Sequence, residues 1–327
     1  MDLLFVVDPL ETLNAGHDTS VALMEAAQLA GHRVHATTAG DLAVLEGRPV
    51  ARAVTIRLRP AVLAEGKWIA DADWYTASPA QEMDLDSMSA IFMRTDPPVD
   101  ASYLRATFIL DLVDPTRTLV INSPSGLRDA NEKMFGLHFP ELGPPTVVTA
   151  DRDRIREVVR RWGAAVLKPT EGMAGRGIML LSPGDPNLNS ILDTATVRGR
   201  DHVVIQQYIP AASAGDRRVI VLGGEPVGAI CRLADGAEFR CNMATGAKVV
   251  TDSVTQRDRE ICAVLGPALV RRGLYFVGID VIGGYLTEVN VTSPTGLREI
   301  DALCHSTVSA EVISWVGSAC AARAGRW

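Results

Sequence analysis

The sequence has few of the residues that hold a metal- or disulfide-stabilised domain together. Only five of its 327 residues are cysteine (Cys231, Cys241, Cys262, Cys304 and Cys320), and none forms a C-x-x-C pair or accompanies a histidine cluster. Structural zinc and a disulfide framework are therefore not expected. Spacing alone leaves a catalytic thiol open, but free buried thiols are the favoured interpretation.

The sequence also lacks blocks of basic residues and long apolar runs. The formal net charge is −7 and the arginines are scattered, which disfavours nucleic acid as a partner. No apolar run reaches the length of a bilayer. The first ten residues, MDLLFVVDPL, have no basic start typical of a signal peptide. We therefore expect a cytoplasmic protein that begins with a β-strand and has no membrane contact.

Strand-like and helix-like segments alternate along the chain, which is too long for one small core. A strand at 3–7, a helix at 19–30 capped by Asp18 and a strand at 34–36 form the unit of a parallel sheet. Residues 57–87 show little periodicity and are predicted to be loops; the one exception that the pattern allows is a strand near Trp68. The turn formers of NSPSGL (122–127) indicate a domain boundary.

The second half is predicted to contain more strands. A helix at 151–163 precedes strands at 164–169, 178–182 and 203–210. A hairpin at 217–232 turns at Gly223-Gly224 and precedes a helix at 255–273.

Oxygen-bearing side chains in two of the later strand-like runs suit a magnesium ion. In LTEVNVTSPTGLREI (286–300), Glu288 and Asn290 are two residues apart and would face the same side of a strand. Asp280 lies in the preceding apolar run, where a charge is costly unless it is paired. Hard oxygen donors of this kind favour a Mg²⁺-nucleotide site.

A glycine-rich turn at 171–178 contains Gly172, Gly175 and Gly177 between two strand-like segments. Because no helix follows, neither a P-loop nor a dinucleotide fingerprint fits. The turn can fold over phosphates with its N–H groups, although a plain hairpin loop would look similar. Lysine usage strengthens the phosphate interpretation, since the chain has 4 lysines and 28 arginines. Lys168 directly precedes this turn and Lys133 begins a helical stretch; solvated surface lysines are the alternative.

Together these residues resemble bacterial-type glutathione synthetase, of the ATP-grasp superfamily, over nearly the whole chain. The resemblance is carried by motifs such as VVDPLETLNAGHDTS (6–20), MRTDPP (93–98), VLKPTEGMAGRGI (166–178) and FVGIDVIGGYLTEVNVTSPTGLREI (276–300). It implies an α/β (α+β ATP-grasp) fold. It divides the chain into an N-terminal parallel-sheet α/β substrate-binding domain (1–122), an ATP-grasp subdomain with the phosphate loop (123–210) and a subdomain with the metal site and lid (211–327).

The resemblance also implies roles for individual residues around ATP and Mg²⁺ (two ions, with Mn²⁺ accepted). Asp280, Glu288 and Asn290 match metal ligands, and Arg218, Arg232 and the lid residue Arg240 match the catalytic arginines. Its substrate positions are the lid residue Asn242, Ser293 and Thr295. Arg94 is a further candidate from its own context, because it ends a buried strand and can bind a substrate carboxylate in a fork; the alternative is an ion pair with Asp96. The positions that match ATP contacts are Lys133, Lys168, Gly172, Gly175, Gly177, Gln206, Gln207, Tyr208 and Ile209.

The implied reaction joins γ-glutamylcysteine to glycine through an acyl phosphate, in a homo-oligomer (dimer or tetramer). The lid departs from the family pattern at two places. Cys241 stands where glycine is usual, and a stretch that is usually of AAGG type reads Ala244-Thr245-Gly246-Ala247. One alternative is therefore an ATP-grasp ligase for a different acid–amine pair. A nucleotide-binding regulator without catalysis is disfavoured, because the metal and phosphate residues are all present.

Overall fold

The structure, a computed structural model, describes residues 1–172, 175–234, 241 and 246–324. Within these ranges no helix is both long and apolar enough to cross a membrane. Secondary structure forms three main sheets with helices against them. The eight α-helices of the described ranges are α1 (Thr19–Leu29), α2 (Ala101–Leu110), α3 (Pro124–Asp129), α4 (Arg152–Trp162), α5 (Leu188–Ala195), α6 (Gln256–Arg271), α7 (Leu297–Leu303) and α8 (Val308–Ala324).

The first sheet is parallel on one side and antiparallel on the other. Its order is β10-β9-β1-β2-β4-β3, with β7 and β8 also pairing β4; β5 and β6 form a separate hairpin. The first ten strands are β1 (Asp2–Val6), β2 (Arg33–Thr37), β3 (Leu42–Leu45), β4 (Arg48–Leu58), β5 (Val62–Ala64), β6 (Lys67–Ile69), β7 (Tyr75–Ala77), β8 (Gln81–Asp84), β9 (Ala90–Met93) and β10 (Leu119–Ile121). The predicted parallel unit is confirmed, because β1 pairs in parallel with both β2 and β9. The helix α1 between β1 and β2 is capped by Asp18, as predicted.

The prediction of loops at 57–87 was wrong over much of that range. The segment contains the end of β4 and the strands β5 to β8, of which only β6 was anticipated. These strands have three or four residues and most of their side chains are exposed. Short exposed strands need no alternating apolar pattern, so periodicity does not reveal them.

The second sheet lies in the middle of the chain and is antiparallel, in the order β11-β14-β12-β13. Its strands are β11 (Thr146–Thr149), β12 (Ala165–Pro169), β13 (Met179–Leu181) and β14 (Val203–Gln207). The amphipathic α4 buries Ile155, Val158 and Val159 in a core built from residues of this segment alone. The glycine-rich turn connects β12 to β13, which pair antiparallel as expected.

The third sheet is antiparallel, in the order β17-β16-β15-β18-β19. Its strands are β15 (Asp216–Leu222), β16 (Glu225–Leu233), β17 (Lys248–Thr251), β18 (Phe276–Ile282) and β19 (Tyr285–Asn290). The predicted hairpin is confirmed: Gly223 and Gly224 have φ of +59° and +92°, as a two-residue turn with both centres left-handed requires.

The first and third sheets pack into common apolar cores. One core joins Leu4 and Ile91 of the first sheet to Val219 and Val289 of the third. The C-terminal helix α8 packs against α1. The middle segment, with its separate core, is thus the part of the fold best able to move as a unit.

One glycine, where α3 meets the end of α6, tests this packing. A Cβ at Gly126, in α3, would lie far inside contact distance of the Arg272 carbonyl oxygen at the end of α6. Because a backbone atom cannot move aside cheaply, we expect Gly126→Ala to lower the free energy of unfolding by about 3 kcal/mol. Urea denaturation measures this. Gly40→Ala is the matched control, since its nearest neighbour would be Thr38 Oγ1 at 3.8 Å; equal stability of the two variants would contradict the packing.

Candidate active site

Two adjoining cavities lie where the second and third sheets meet. The hinge cavity is lined by Lys168, residues 206–209 and Asp280. The loop cavity, of about 510 Å³, is lined by Lys133, Gly172, Gly175, Arg218 and Arg232, among others. Glu288 and Ile178 line both cavities. The structure therefore places three of the predicted motifs around these two adjoining cavities: the glycine-rich turn with Lys168, the hinge strand 206–209, and the strands of Asp280 and Glu288.

Strand register places a row of charges across the third sheet. Arg218 lies opposite Asp280, Asp216 opposite Arg232, and Asp280 opposite Glu288. Directly opposed residues on one face have their side chains in contact range. The row therefore follows from the antiparallel pairing of β16, β15, β18 and β19.

Asp280 is held between two arginines. Arg218 Nε donates to Asp280 Oδ1 at 2.6 Å, and Arg232 Nη2 lies 3.0 Å from Oδ2. Arg232 also donates to Asp216 Oδ2 at 2.6 Å. Burial by itself would raise the pKa of Asp280, but the charges of Arg218 and Arg232 outweigh it and hold the pKa well below its usual value. Asp280 is therefore a carboxylate, paired as a buried charge must be.

Glu288 is in a different electrostatic position. Burial raises the pKa of Glu288, an effect that Lys168 opposes and the charge of Asp280 reinforces. Lys133 Nζ lies 3.6 Å from Glu288 Oε1. Because Asp280 and Glu288 lie opposite each other on paired strands and their charges repel, a cation beside them stabilises both carboxylates.

Asn290 lies beside Glu288, as predicted. Its buried Nδ2 has no hydrogen-bond partner among the described residues. Those residues also contain no group of three His, Cys, Asp or Glu side chains that could hold a metal ion. Any metal set built from Asp280 and Glu288 therefore depends on this amide.

The two predicted phosphate lysines line different cavities, Lys133 the loop cavity and Lys168 the hinge cavity. Lys133 Nζ donates to the carbonyl oxygen of Gly172 at 2.7 Å, and Lys168 Nζ donates to that of Thr287 at 3.2 Å. In the glycine-rich turn, Gly177 has φ of +71° and a Cβ there would collide with Pro169. The turn thus needs glycine at 177 whatever it binds.

The predicted hinge strand lines its cavity with residues 206–209, of which Gln206 is buried. The backbone N–H groups of Gln207 and Tyr208 already donate to Pro145 and Ala164. Any contact of Gln207 or Tyr208 with an adenine base must therefore be made by the carbonyl oxygen or the side chain of these residues.

The predicted substrate residues lie around the segment after β19. Ser293 and Thr295 line the loop cavity. Arg218 Nη1 donates to the Thr295 carbonyl oxygen at 3.1 Å. Arg94 is buried and donates to Ser20 and to the Pro294 carbonyl oxygen, while its Nη1 has no partner among the described residues. Arg94 is thus mostly committed to the protein, with one amino group still uncommitted.

Sequence reasoning missed the part played by Glu132. Its Oε1 accepts hydrogen bonds from Val291 N, Thr292 N and Thr292 Oγ1 at 2.8–3.0 Å. Its carbonyl oxygen accepts from Val289 N at 3.0 Å. Glu132 therefore fixes the end of β19 next to Lys133; its position beside that lysine was the only signal in the sequence.

The predicted lid residues Arg240 and Asn242 lie outside the described residues. Cys241 is described: it is buried, lines the hinge cavity and has its Sγ 3.9 Å from the Ala212 carbonyl oxygen. Cys241, which stands where the family usually has glycine, therefore lines the same cavity as the strand predicted to bind adenine (206–209).

Comparison with known families matches both halves of the chain. Residues 1–128 match the family described as "Prokaryotic glutathione synthetase, N-terminal domain", and residues 132–305 match "Prokaryotic glutathione synthetase, ATP-grasp domain". A glutathione synthetase of Synechocystis sp. is 53% identical over 316 residues, covering 97% of this chain and 99% of the relative. One from Thermosynechococcus vestitus is 54% identical, covering 97% of this chain and 100% of the relative.

Solved structures share the fold at much lower identity. A RiPP-associated ATP-grasp ligase from Chryseobacterium gregarium, in complex with ADP and a leader and core peptide, has a TM-score of 0.63 at 14% identity and covers 98% of this chain and 97% of that one. Macrocyclase MdnC from Microcystis aeruginosa, bound to its precursor peptide, has a TM-score of 0.62 at 15% identity over 97% of this chain and 100% of that one. The expected ATP-grasp fold is confirmed.

Proposed function

The chain belongs to the prokaryotic glutathione synthetase family, and from this membership we propose that it joins the cysteinyl carboxylate of γ-glutamylcysteine to the amine of glycine. It is an ATP-dependent ligase. The observation that carries the proposal is the 53% identity to a glutathione synthetase over nearly the full length of both chains.

The reaction runs in two steps. A carboxylate oxygen attacks the γ-phosphorus of ATP, the bond to ADP breaks, and an acyl phosphate forms. The amine of glycine then attacks the acyl carbon, loses a proton, and phosphate leaves as the amide forms. No protein nucleophile is needed, so the side chains act by positioning and by offsetting charge.

The cations around the hinge and loop cavities suit these roles. Lys133, at the loop cavity, and Lys168, at the hinge cavity, would both contact phosphate oxygens of ATP. Arg218 and Arg232 would face the phosphate in transfer and the oxyanion of the second step. Arg240 and Asn242 are proposed to complete the cover over the substrates, and Arg94, Ser293 and Thr295 to line the place of the acid substrate.

A divalent metal accompanies ATP in this family, and the donor set here fits one. Glu288, Asn290 and Asp280 would hold it, since carboxylate and amide oxygens are the ligands that Mg²⁺ prefers. Asp280 keeps lone pairs beyond those used by the arginines, and the raised pKa of Glu288 fits a site completed by a cation. When bound, such an ion neutralises phosphate charge. We propose two Mg²⁺ ions, replaceable by Mn²⁺.

Residues 1–122, 123–210 and 211–327 are proposed as the functional divisions, and each contains one main sheet. We further propose a cytoplasmic homo-oligomer, dimer or tetramer, without nucleic-acid or membrane partners. Light scattering on the purified chain tests the oligomer: a monomer mass would contradict it.

A substrate panel tests the function. We expect ATP-dependent phosphate release with γ-glutamylcysteine plus glycine, and little when either is omitted. Turnover of another acid–amine pair, with none for this one, would instead favour a ligase of different specificity. The substitution at Cys241 supports that alternative only weakly. Cys241 lines the hinge cavity, where adenine is proposed to bind, so it is expected to affect the nucleotide rather than the choice of acid or amine.

A further inference from the structure

A short loop between β1 and α1 forms part of the wall of the loop cavity. This segment, residues 14–18 (the cavity loop), contributes Asn14, His17 and Asp18 to the lining. The Asn14 carbonyl oxygen accepts from the backbone N–H groups of His17 and Asp18 at 2.9 and 2.7 Å. The cavity loop is therefore a compact turn whose lining side chains shift together.

The first turn of α7 holds the cavity loop in place. Arg298 Nη2 donates to the Ala15 carbonyl oxygen at 2.8 Å, and the next residue, Glu299, has its Oε1 2.6 Å from His17 Nδ1. The helix closely follows residues 293–295, which line the same cavity. One segment of the wall thus fixes another.

Arg298 is itself fixed by two other parts of the fold. Its side chain is 3% exposed, and its Nη1 donates to Glu25 Oε2 of α1 at 2.9 Å in a buried ion pair. Its carbonyl oxygen accepts from Trp68 Nε1 at 2.7 Å, and its guanidinium carbon lies 5.0 Å from the centroid of the Trp68 ring. Trp68 belongs to the hairpin of β5 and β6, which form a sheet of their own. Arg298 therefore connects this hairpin and α1 to the cavity loop.

The hairpin also approaches the cavity loop directly. A Cβ on Gly16 would lie 2.8 Å from the Trp68 carbonyl oxygen. A backbone atom cannot move aside cheaply, so this approach requires glycine at position 16. The hairpin and Arg298 together set where the backbone of the cavity loop lies, and with it the position of its three lining side chains.

The acid substrate is the ligand that this loop would contact, an inference that rests on the proposed function. The cavity loop lines the loop cavity and does not line the hinge cavity, where adenine is proposed to bind. Glycine is too small to contact most of the wall of a cavity of about 510 Å³. The dipeptide acid must therefore contact most of it.

We propose that Arg298, held by Glu25 and Trp68, is a positioning residue that keeps the cavity loop where it contacts γ-glutamylcysteine. Arg298 is buried and does not line the loop cavity, so it acts through the loop and not by contact with substrate. Its planar fork donates to Glu25 and Ala15 at once while it faces Trp68. A lysine keeps the charge but cannot make all three contacts.

Two mild substitutions test this role. We expect Arg298→Lys to raise KM for γ-glutamylcysteine at least about tenfold, because a misplacement of about 1 Å can cost about 100-fold, while KM for ATP stays unchanged. Trp68→Phe keeps the ring, removes the Nε1–H donor, and should raise the same KM by a smaller factor. Hydrogen exchange without substrates should be faster at residues 14–18 in both variants and unchanged at 203–209.

Arg217→Lys is the matched control. Arg217 forms ion pairs with Asp252 and Asp258 and lines neither the hinge nor the loop cavity. This variant should lower the thermal unfolding temperature and leave both KM values unchanged.

An unchanged KM for the acid in folded Arg298→Lys and Trp68→Phe, or an equal rise in KM for ATP, would overturn the proposal. Wild-type exchange at residues 14–18 in both variants would also overturn it. If Arg298→Lys does not fold, Trp68→Phe decides by the same measurements. The wild-type rate with γ-glutamylcysteine and glycine reports separately on the proposed function, and the exchange measurement does not depend on it.

Discussion

Replacing Glu288 by glutamine is expected to lower kcat at least about 1,000-fold while leaving the fold intact. The amide cannot supply the negative oxygen that the proposed metal site needs, and metal assistance contributes several kcal/mol to such reactions. Stability should change little, because burial already disfavours the charged form of Glu288, whose pKa it raises. Steady-state phosphate release and thermal unfolding measure the two effects.

The matched control for this substitution is Glu157→Gln, an exposed position on α4, which should keep the wild-type rate. A Glu288→Gln enzyme with a near-normal rate would remove Glu288 from the metal site. Loss of activity together with loss of the folded state would assign the residue a structural role instead.

Replacing Lys168 by alanine is expected to raise KM for ATP at least tenfold. Its ammonium is the proposed phosphate contact at the end of β12, and a charge-assisted hydrogen bond to phosphate is worth more than a neutral one. Initial rates over a range of ATP concentrations, with both other substrates saturating, measure the effect.

Lys67→Ala provides the control for Lys168, because Lys67 is exposed on the hairpin strand β6. Its KM for ATP should equal that of the wild type. An unchanged ATP dependence in Lys168→Ala would leave only the contact with the Thr287 carbonyl oxygen and make the lysine a structural residue.

Local patterns predicted those parts of the site that lie on regular strands. The two-residue period of a strand placed Glu288 beside Asn290, and the apolar run around Asp280 marked it as a buried charge needing partners. The structure confirms this placement and adds the partners, Arg218 and Arg232. Their roles in binding and catalysis stay predictions.

Contacts between distant segments gave no comparable signal. Glu132 fixes the end of β19 from 159 residues away, and His17 meets Glu299 across 282 residues. Neither partner belongs to a periodic pattern, so only the packing of α1, α7 and the third sheet brings them together. The short strands β5, β7 and β8 were missed for a related reason, since their mostly exposed side chains impose no alternation of apolar and polar residues.

The most direct test of the account follows oxygen from the acid substrate into phosphate. γ-Glutamylcysteine labelled with ¹⁸O in its cysteinyl carboxylate is incubated with ATP, Mg²⁺, glycine and the enzyme. If this carboxylate, labelled at both oxygens, attacks the γ-phosphorus, each phosphate released carries one ¹⁸O, and the product is glutathione that keeps the other ¹⁸O in its new amide and is about 2 Da heavier than unlabelled glutathione. Unlabelled phosphate, or a product of another mass, would contradict the proposed reaction.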